Sequence, residues 1–194
     1  MSDATDTKQT KAALRAEALA RRDALPAAAR AAAAQAIAGR AFPLPVAGAI
    51  VAGFSPMKSE INPVPLMRKL SDAGAQLALP VVQGRGKPLI MRAWHFGAPL
   101  KAGPWGIREP TPDAPEVAPD ILIVPLACFD RAGHRIGYGA GYYDMTIHAL
   151  RAQKKVVAVG IAYAAQEIPK VPATERDARL DLVLTEREVI DFRG

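Results

Sequence analysis

Four apolar runs limit what this chain can fold into: "AGAIVAGF" ending at Phe54, "DILIVPL" from Asp120, "KVVAVGIAY" from Lys155 and "LDLVLTE" from Leu180. Little in them alternates apolar with polar residues, as a strand with one wet face would, so each reads as a strand buried on both sides. Helical segments lie between them. That alternation implies an α/β fold with a mainly parallel open sheet and helices on both faces.

Residues from Thr7 to Arg40 are rich in Ala, Leu, Arg and Gln, which are good helix formers, and Pro26 divides them into a helical pair. Proline suits a first helical turn, where its missing N–H costs nothing. Asn62 reads as an N-cap with Pro63 opening a helix that runs to Gly74. "AQLALP" and "KPLIMRAWHF" read as further strands, and a helix begins near Tyr142. Between Gly97 and Pro119 the chain is dense in Pro and Gly, a long irregular connection that is either a functional loop or a linker.

The 194 residues, half of them hydrophobic, suffice for one well-buried α/β domain over residues 1–194, with the helices at about 7–40 and the sheet-containing body at about 47–194. No apolar run approaches the roughly 20 residues that span a bilayer. The charged N-terminal stretch is unlike a secretory signal, and Asp3, Asp6 and Glu17 argue against a transit peptide. A single cysteine fits a reducing compartment, so the expected location is cytoplasmic. The net charge of +6 favours anionic partners, but the basic residues do not gather in one tail, and small molecules are expected rather than nucleic acid or membrane.

After "DILIVPL" comes "GHRIGYGAGYYD", residues 133–144, with Gly137, Gly139 and Gly141 spaced two apart. This is neither a P-loop nor the dinucleotide fingerprint, because Tyr142 stands where the third glycine of G-x-G-x-x-G belongs. A strand, a glycine turn and a helix start remain, at the sheet edge where α/β folds bind ligands. Successive N–H groups there can cradle phosphate, and the same pattern also fits a tight structural turn. Asp144, in the first helical turn, would be repelled by phosphate unless a cation such as magnesium lies between, and Arg135 could add a charged contact. Lys8, Lys11 and Arg15 share one helical face, which fits either a phosphate contact or a solvated face. Glu60 follows a strand end. Trp105, in the Pro/Gly-rich loop, could stack on a flat ring. Cys128 reads as a packing residue, and neither His95 nor His134 has metal-ligand spacing.

"PLACFDRAGHRIGYGAGYYD", with "KAALR", "FSPMKSEINP", "WGIREPTP" and "VGIAYAAQEIPKVPATERDARLDLVLTE" in order, resembles the 5-formyltetrahydrofolate cyclo-ligase family over almost the whole chain. The resemblance implies an ATP- and Mg²⁺-dependent carbon–nitrogen ligase that converts 5-formyltetrahydrofolate to 5,10-methenyltetrahydrofolate, releasing ADP and phosphate. It implies ATP binding by Lys11 and Arg15 and by the loop Arg135, Ile136, Gly137, Tyr138, Gly139, Ala140, Gly141, Tyr142 and Tyr143. Arg135 and Tyr142 are the expected catalytic residues. Ser55, Glu60, Trp105, Tyr138 and Tyr142 are expected on the folate, and Asp144 and Asp177 on the metal. A monomer or weak homodimer is expected. Many members carry lysine or glycine where this chain has Ala140, so the alternative is a non-catalytic relative that binds folate or nucleotide as a regulator. A positive φ demanded of Ala140 would favour that alternative.

Overall fold

The computed structural model describes residues 2–193, with side chains from residue 7 onward. The chain opens with two helices, α1 (Ser2–Asp23) and α2 (Ala27–Gly39). It continues through β1 (Ile50–Ala52), α3 (Val64–Asp72), β2 (Gln76–Val81), β3 (Ile90–Ala93), β4 (Leu100–Ala102), β5 (Arg108–Pro110), β6 (Glu116–Val117) and β7 (Ile121–Val124). The last elements are β8 (Cys128–Phe129), β9 (Arg135–Ile136), α4 (Tyr142–Arg151), β10 (Val157–Ile161), β11 (Leu182–Leu184) and β12 (Val189–Asp191).

An eight-stranded sheet, ordered β12-β11-β10-β7-β1-β2-β3-β6, forms the centre. Its central run β11-β10-β7-β1-β2 is parallel throughout, and the flanking strands β12, β3 and β6 are antiparallel. The chain leaves β1 for β2 on one side and returns to place β7 on the other. The order of the sheet therefore reverses between β1 and β7, and crevices at such points hold ligands beyond the strands' carboxyl ends.

Period-two alternation sends the β7 side chains to both faces. Ile121 and Ile123 join the core with Ile37 of α2 and Leu66, Met67 and Leu70 of α3. Leu122 and Val124 pack on the other face with Ile147 of α4. Both layers are closed, which is why the strand carries no polar residue. Leu122 is completely buried, so Leu122→Ala is expected to cost about 2–5 kcal/mol through lost transfer energy and the cavity left behind. Denaturant unfolding would read this, and a loss below about 1 kcal/mol would mean that the α4 face collapses around the gap.

Local readings need refinement. α1 begins at Ser2, earlier than Thr7. Pro26 sits at the N-cap of α2, with ψ 147°, just outside the helical turn expected for it. Pro63 likewise precedes α3, whose first amide, that of Val64, donates to Asn62 Oδ1 at 3.0 Å. The segment 97–119 is neither an irregular connection nor a linker: β4 and β5 pair as an antiparallel hairpin, and β6 joins the sheet edge. Among the described residues, no helix is long and apolar enough to cross a membrane.

Candidate active site

The carboxyl ends of β1, β2 and β7 open into a cleft of about 460 Å³. Phe54 and Ser55 follow β1, Pro80 and Val82 come from β2 and its exit, and Pro125 follows β7. The segment Met57–Glu60 and the β4–β5 hairpin with Trp105 supply two walls. The glycine loop and the first turn of α4 supply a third, through Gly137, Tyr138, Ala140, Gly141, Tyr142, Tyr143 and Asp144.

The loop's shape follows from its glycines. Gly139 (φ +100°) and Gly141 (φ +71°) take conformations that other residues reach only with strain. Ala140 between them is not among the positive-φ residues, so a side chain there costs the backbone nothing. Gly141 occupies the N-cap of α4 and no side chain caps that helix. Its first N–H groups and the positive end of its dipole are thus available to an anion.

Cations surround the loop. Arg15 Nε donates to the Gly137 carbonyl at 2.7 Å, pinning α1 across the turn. Arg135, nearly fully buried, donates from Nη2 to Asp144 Oδ1 at 2.9 Å, while its Nε has no partner. A guanidinium that lines a ligand cleft suits an anion there. Lys11 Nζ lies 2.6 Å from Asp177 Oδ2. Burial opposes ionisation of Asp177, but the bonds from Lys11 and Thr174 outweigh it and hold this carboxyl below its ordinary range.

Asp144 and Asp177 occupy adjoining positions, since the amide of Ala178 donates to Asp144 Oδ1 at 3.0 Å. No group of three or more His, Cys, Asp or Glu that could hold a metal occurs among the described residues. One or two carboxylates suffice for a magnesium ion shared with nucleotide phosphates, because phosphate and water oxygens complete its octahedron. The donor set fits that ion, provided the ligand brings the remaining oxygens.

The opposite wall is organised around Glu60. Its Oε2 accepts the Met57 amide at 2.7 Å. Burial raises its pKa, against the opposing pull of Tyr138, the Met57 amide and Arg22. The Tyr138 phenol is pushed up by burial and by the Glu60 charge, and that of Tyr143 by the same two causes. Both hydroxyls therefore keep their protons and can donate. Tyr138 is 46% exposed, but its hydroxyl turns inward, accepting from Arg22 Nη1 at 2.7 Å and donating to the Leu126 carbonyl at 3.2 Å. Trp105 stands 66% exposed at the hairpin tip, its ring centroid 6.1 Å from that of Tyr142. Trp105 (φ +56°) and Lys58 (φ +52°) are the non-glycine residues with positive φ among those described, and both line the cleft. Backbone strain of this kind gathers at ligand sites.

Of the residues expected from sequence, Ser55, Glu60, Trp105, Arg135 and most of the loop meet at this cleft. Lys11, Arg15 and Asp177 are not among the residues that line it, though Arg15 reaches the loop at the Gly137 carbonyl. Ile136 turns its side chain into a core patch with Ala18 and Cys128, and its carbonyl accepts the Ala127 amide, so it supports the loop from beneath. Cys128 is fully buried and its thiol is pushed up to about 11 by burial, as a packing residue requires. Arg22 and Glu109 line the cleft and were missed. Arg22 was within reach of the pattern: it lies seven residues after Arg15, on the same face of α1. Glu109 carried no signal, because only the hairpin turns it inward.

The family model for the 5-formyltetrahydrofolate cyclo-ligase family matches residues 7–186. The chain belongs to this family. It is 33% identical over 190 residues to the 5-formyltetrahydrofolate cyclo-ligase of Mycolicibacterium smegmatis, covering 94% of this chain and 96% of that protein. It is also 33% identical over 157 residues to the Escherichia coli K12 protein of the same name, covering 78% and 85%. The solved structure of Aquifex aeolicus 5,10-methenyltetrahydrofolate synthetase superposes with a TM-score of 0.76 at 29% identity, covering 95% of this chain and 93% of that one. The protein is thus a cyclo-ligase family member, a ligase of folate metabolism, and the mixed α/β sheet is the fold of its solved relatives.

Proposed function

We propose that this protein uses ATP to cyclise 5-formyltetrahydrofolate to 5,10-methenyltetrahydrofolate, with ADP and phosphate as co-products. One observation carries the reading: the glycine loop, the uncapped N-terminus of α4 and the guanidinium side chain of Arg135 share a cleft with Glu60, Tyr138 and Trp105. One wall suits phosphate, the other a flat heterocycle with N–H donors.

The formyl oxygen of an amide is a poor leaving group. Attack by that oxygen on the γ-phosphorus of ATP expels ADP and makes it a phosphate ester. N10 then attacks the formyl carbon and gives up its proton, the carbon–oxygen bond breaks, and phosphate leaves. Positioning and charge stabilisation are the protein's tasks. The loop amides and Arg135 hold the transferring phosphoryl group, Arg15 keeps the loop in shape, and Lys11 extends the positive surface. Asp144 and Asp177 would hold magnesium, which neutralises phosphate charge when bound. Tyr142 and Trp105 flank the folate, and Glu60 accepts the pterin's N–H donors. Ala140 has an unstrained backbone, which removes the conformational argument for a non-catalytic relative.

The decisive assay mixes protein, 5-formyltetrahydrofolate, ATP and Mg²⁺ and follows the near-ultraviolet absorbance of the methenyl product. A rise that vanishes without ATP or with excess chelator supports the reading; ligand binding without a rise overturns it. Gly139→Ala forces a side chain into φ +100° at a strain of about 1–2 kcal/mol. It is expected to raise the KM for ATP several-fold while leaving the KM for folate unchanged.

Glu60 predicts the pH dependence. Burial raises its pKa, so the accepting carboxylate is lost on acidification at a higher pH than for a free glutamate. The KM for folate is therefore expected to climb as pH falls through that raised value. Glu60→Gln should weaken binding and remove this acid limb, and a limb that persists in the variant would assign it to another group.

A further inference from the structure

Besides Glu60 and Asp144, the cleft contains a third carboxylate. Glu109, on β5, is 2% exposed and lines the same cleft as Glu60. Its Oε1 accepts the Val82 amide at 3.0 Å. Among the described residues the carboxyl has no salt-bridge partner and no other hydrogen bond. Yet it is not an isolated buried group, because it lines the cleft, whose walls also include Pro80, Val82, Leu89 and Ile107. A carboxyl enclosed by apolar side chains with one bond is costly unless something supplies more donors.

The fold goes out of its way to keep it there. The hairpin backbone closes over the carboxyl so tightly that a Cβ on Gly103 would sit 2.3 Å from Glu109 Cδ. The neighbouring Arg108 carbonyl accepts the Ser55 hydroxyl at 3.0 Å, which fixes the strand to the end of β1. Glu109 is therefore held by the Val82 amide and by the hairpin backbone at a position that lines the cleft.

We propose that Glu109 is a second substrate-recognition carboxylate, accepting an N–H of the reduced pterin while Glu60 accepts others. The proposal rests on the folate reading given above. It makes the hairpin, through Glu109 and Trp105 together, the element that selects a flat, donor-rich ring. A ring without that N–H would leave Glu109 buried and underbonded and would be rejected.

Glu109→Gln separates recognition from support. Its amide oxygen still accepts the Val82 N–H, so the hairpin stays seated, but an acceptor facing the cleft is exchanged for a donor. Glu109→Ala removes both functions. Binding of 5-formyltetrahydrofolate without ATP is read by calorimetry and by tryptophan fluorescence, ATP binding by calorimetry, and folding by thermal melting. The expected result is a roughly tenfold weaker Kd for folate in Glu109→Gln, from loss of one hydrogen bond to a charged acceptor, with ATP binding and Tm unchanged. Wild-type folate affinity in Glu109→Gln, with Glu109→Ala losing both Tm and affinity, would overturn the proposal and leave Glu109 a hairpin latch. If the wild-type protein itself bound no folate, the underlying functional reading would fall instead.

Discussion

Arg135→Ala is expected to lower kcat by about a thousandfold, the scale seen when an arginine that stabilises phosphoryl transfer is removed. Three features of its setting make the loss large. Its side chain is almost wholly enclosed, so its charge acts with little water screening. It lines the cleft beside the glycine loop, where the phosphates would lie. Its Nη2 holds Asp144, so the substitution also frees a carboxylate beside the phosphates. The KM for folate should change little, since Glu60 and Trp105 lie on other walls. Arg135→Lys keeps the charge without the fixed fork and should recover only part of the rate. Single-turnover measurement of phosphoryl transfer checks this, and a variant within tenfold of wild type would remove Arg135 from the chemistry.

Asp144→Asn is expected to raise the Mg²⁺ concentration for half-maximal activity by one to two orders of magnitude, about the loss that follows when a hard-cation site gives up a charged oxygen. Rate at saturating magnesium should fall less than in Arg135→Ala. The two residues are bonded to each other, so their effects will not add: the double variant should lose less than the product of the single losses. A magnesium titration of the four proteins tests both statements. Unchanged metal dependence in Asp144→Asn would mean that Asp144 serves only to orient Arg135.

The ordering of the cleft by charge also explains an oddity of α1. Arg22 is buried at 3% exposure, donating from Nε to Ser59 Oγ at 2.9 Å and from Nη1 to the Tyr138 hydroxyl. Ser59 in turn donates to Asp23. One guanidinium thus ties the first helix to the Glu60 segment and to the glycine loop. The N-terminal helices are part of the site rather than an appendage to the sheet.

Much was legible in the sequence for definite reasons. Strands with no polar face announced a sheet covered on both sides, because a parallel strand buried in that way cannot afford polar residues. The run "DILIVPL" and the stretch 133–144 after it announced a strand, a glycine turn and a helix start, because glycines at that spacing serve conformations other residues avoid. Motif order identified the family. The long Pro/Gly-rich segment was not legible, because its strands are only two or three residues long and are stabilised by partners distant in sequence. Local composition therefore read as an irregular loop.

What the sequence determined by itself was the inventory: which residues carry charge, which positions need glycine, which runs must be buried. Tertiary structure decided which of these meet. It placed Arg135 against Asp144 and Lys11 against Asp177, turned Ile136 into the core and not the cleft, gave Ala140 an ordinary backbone, and swung Glu109 inward beneath the hairpin. Each of these depends on contacts between segments far apart in the chain, and long-range pairing leaves no local periodicity to read.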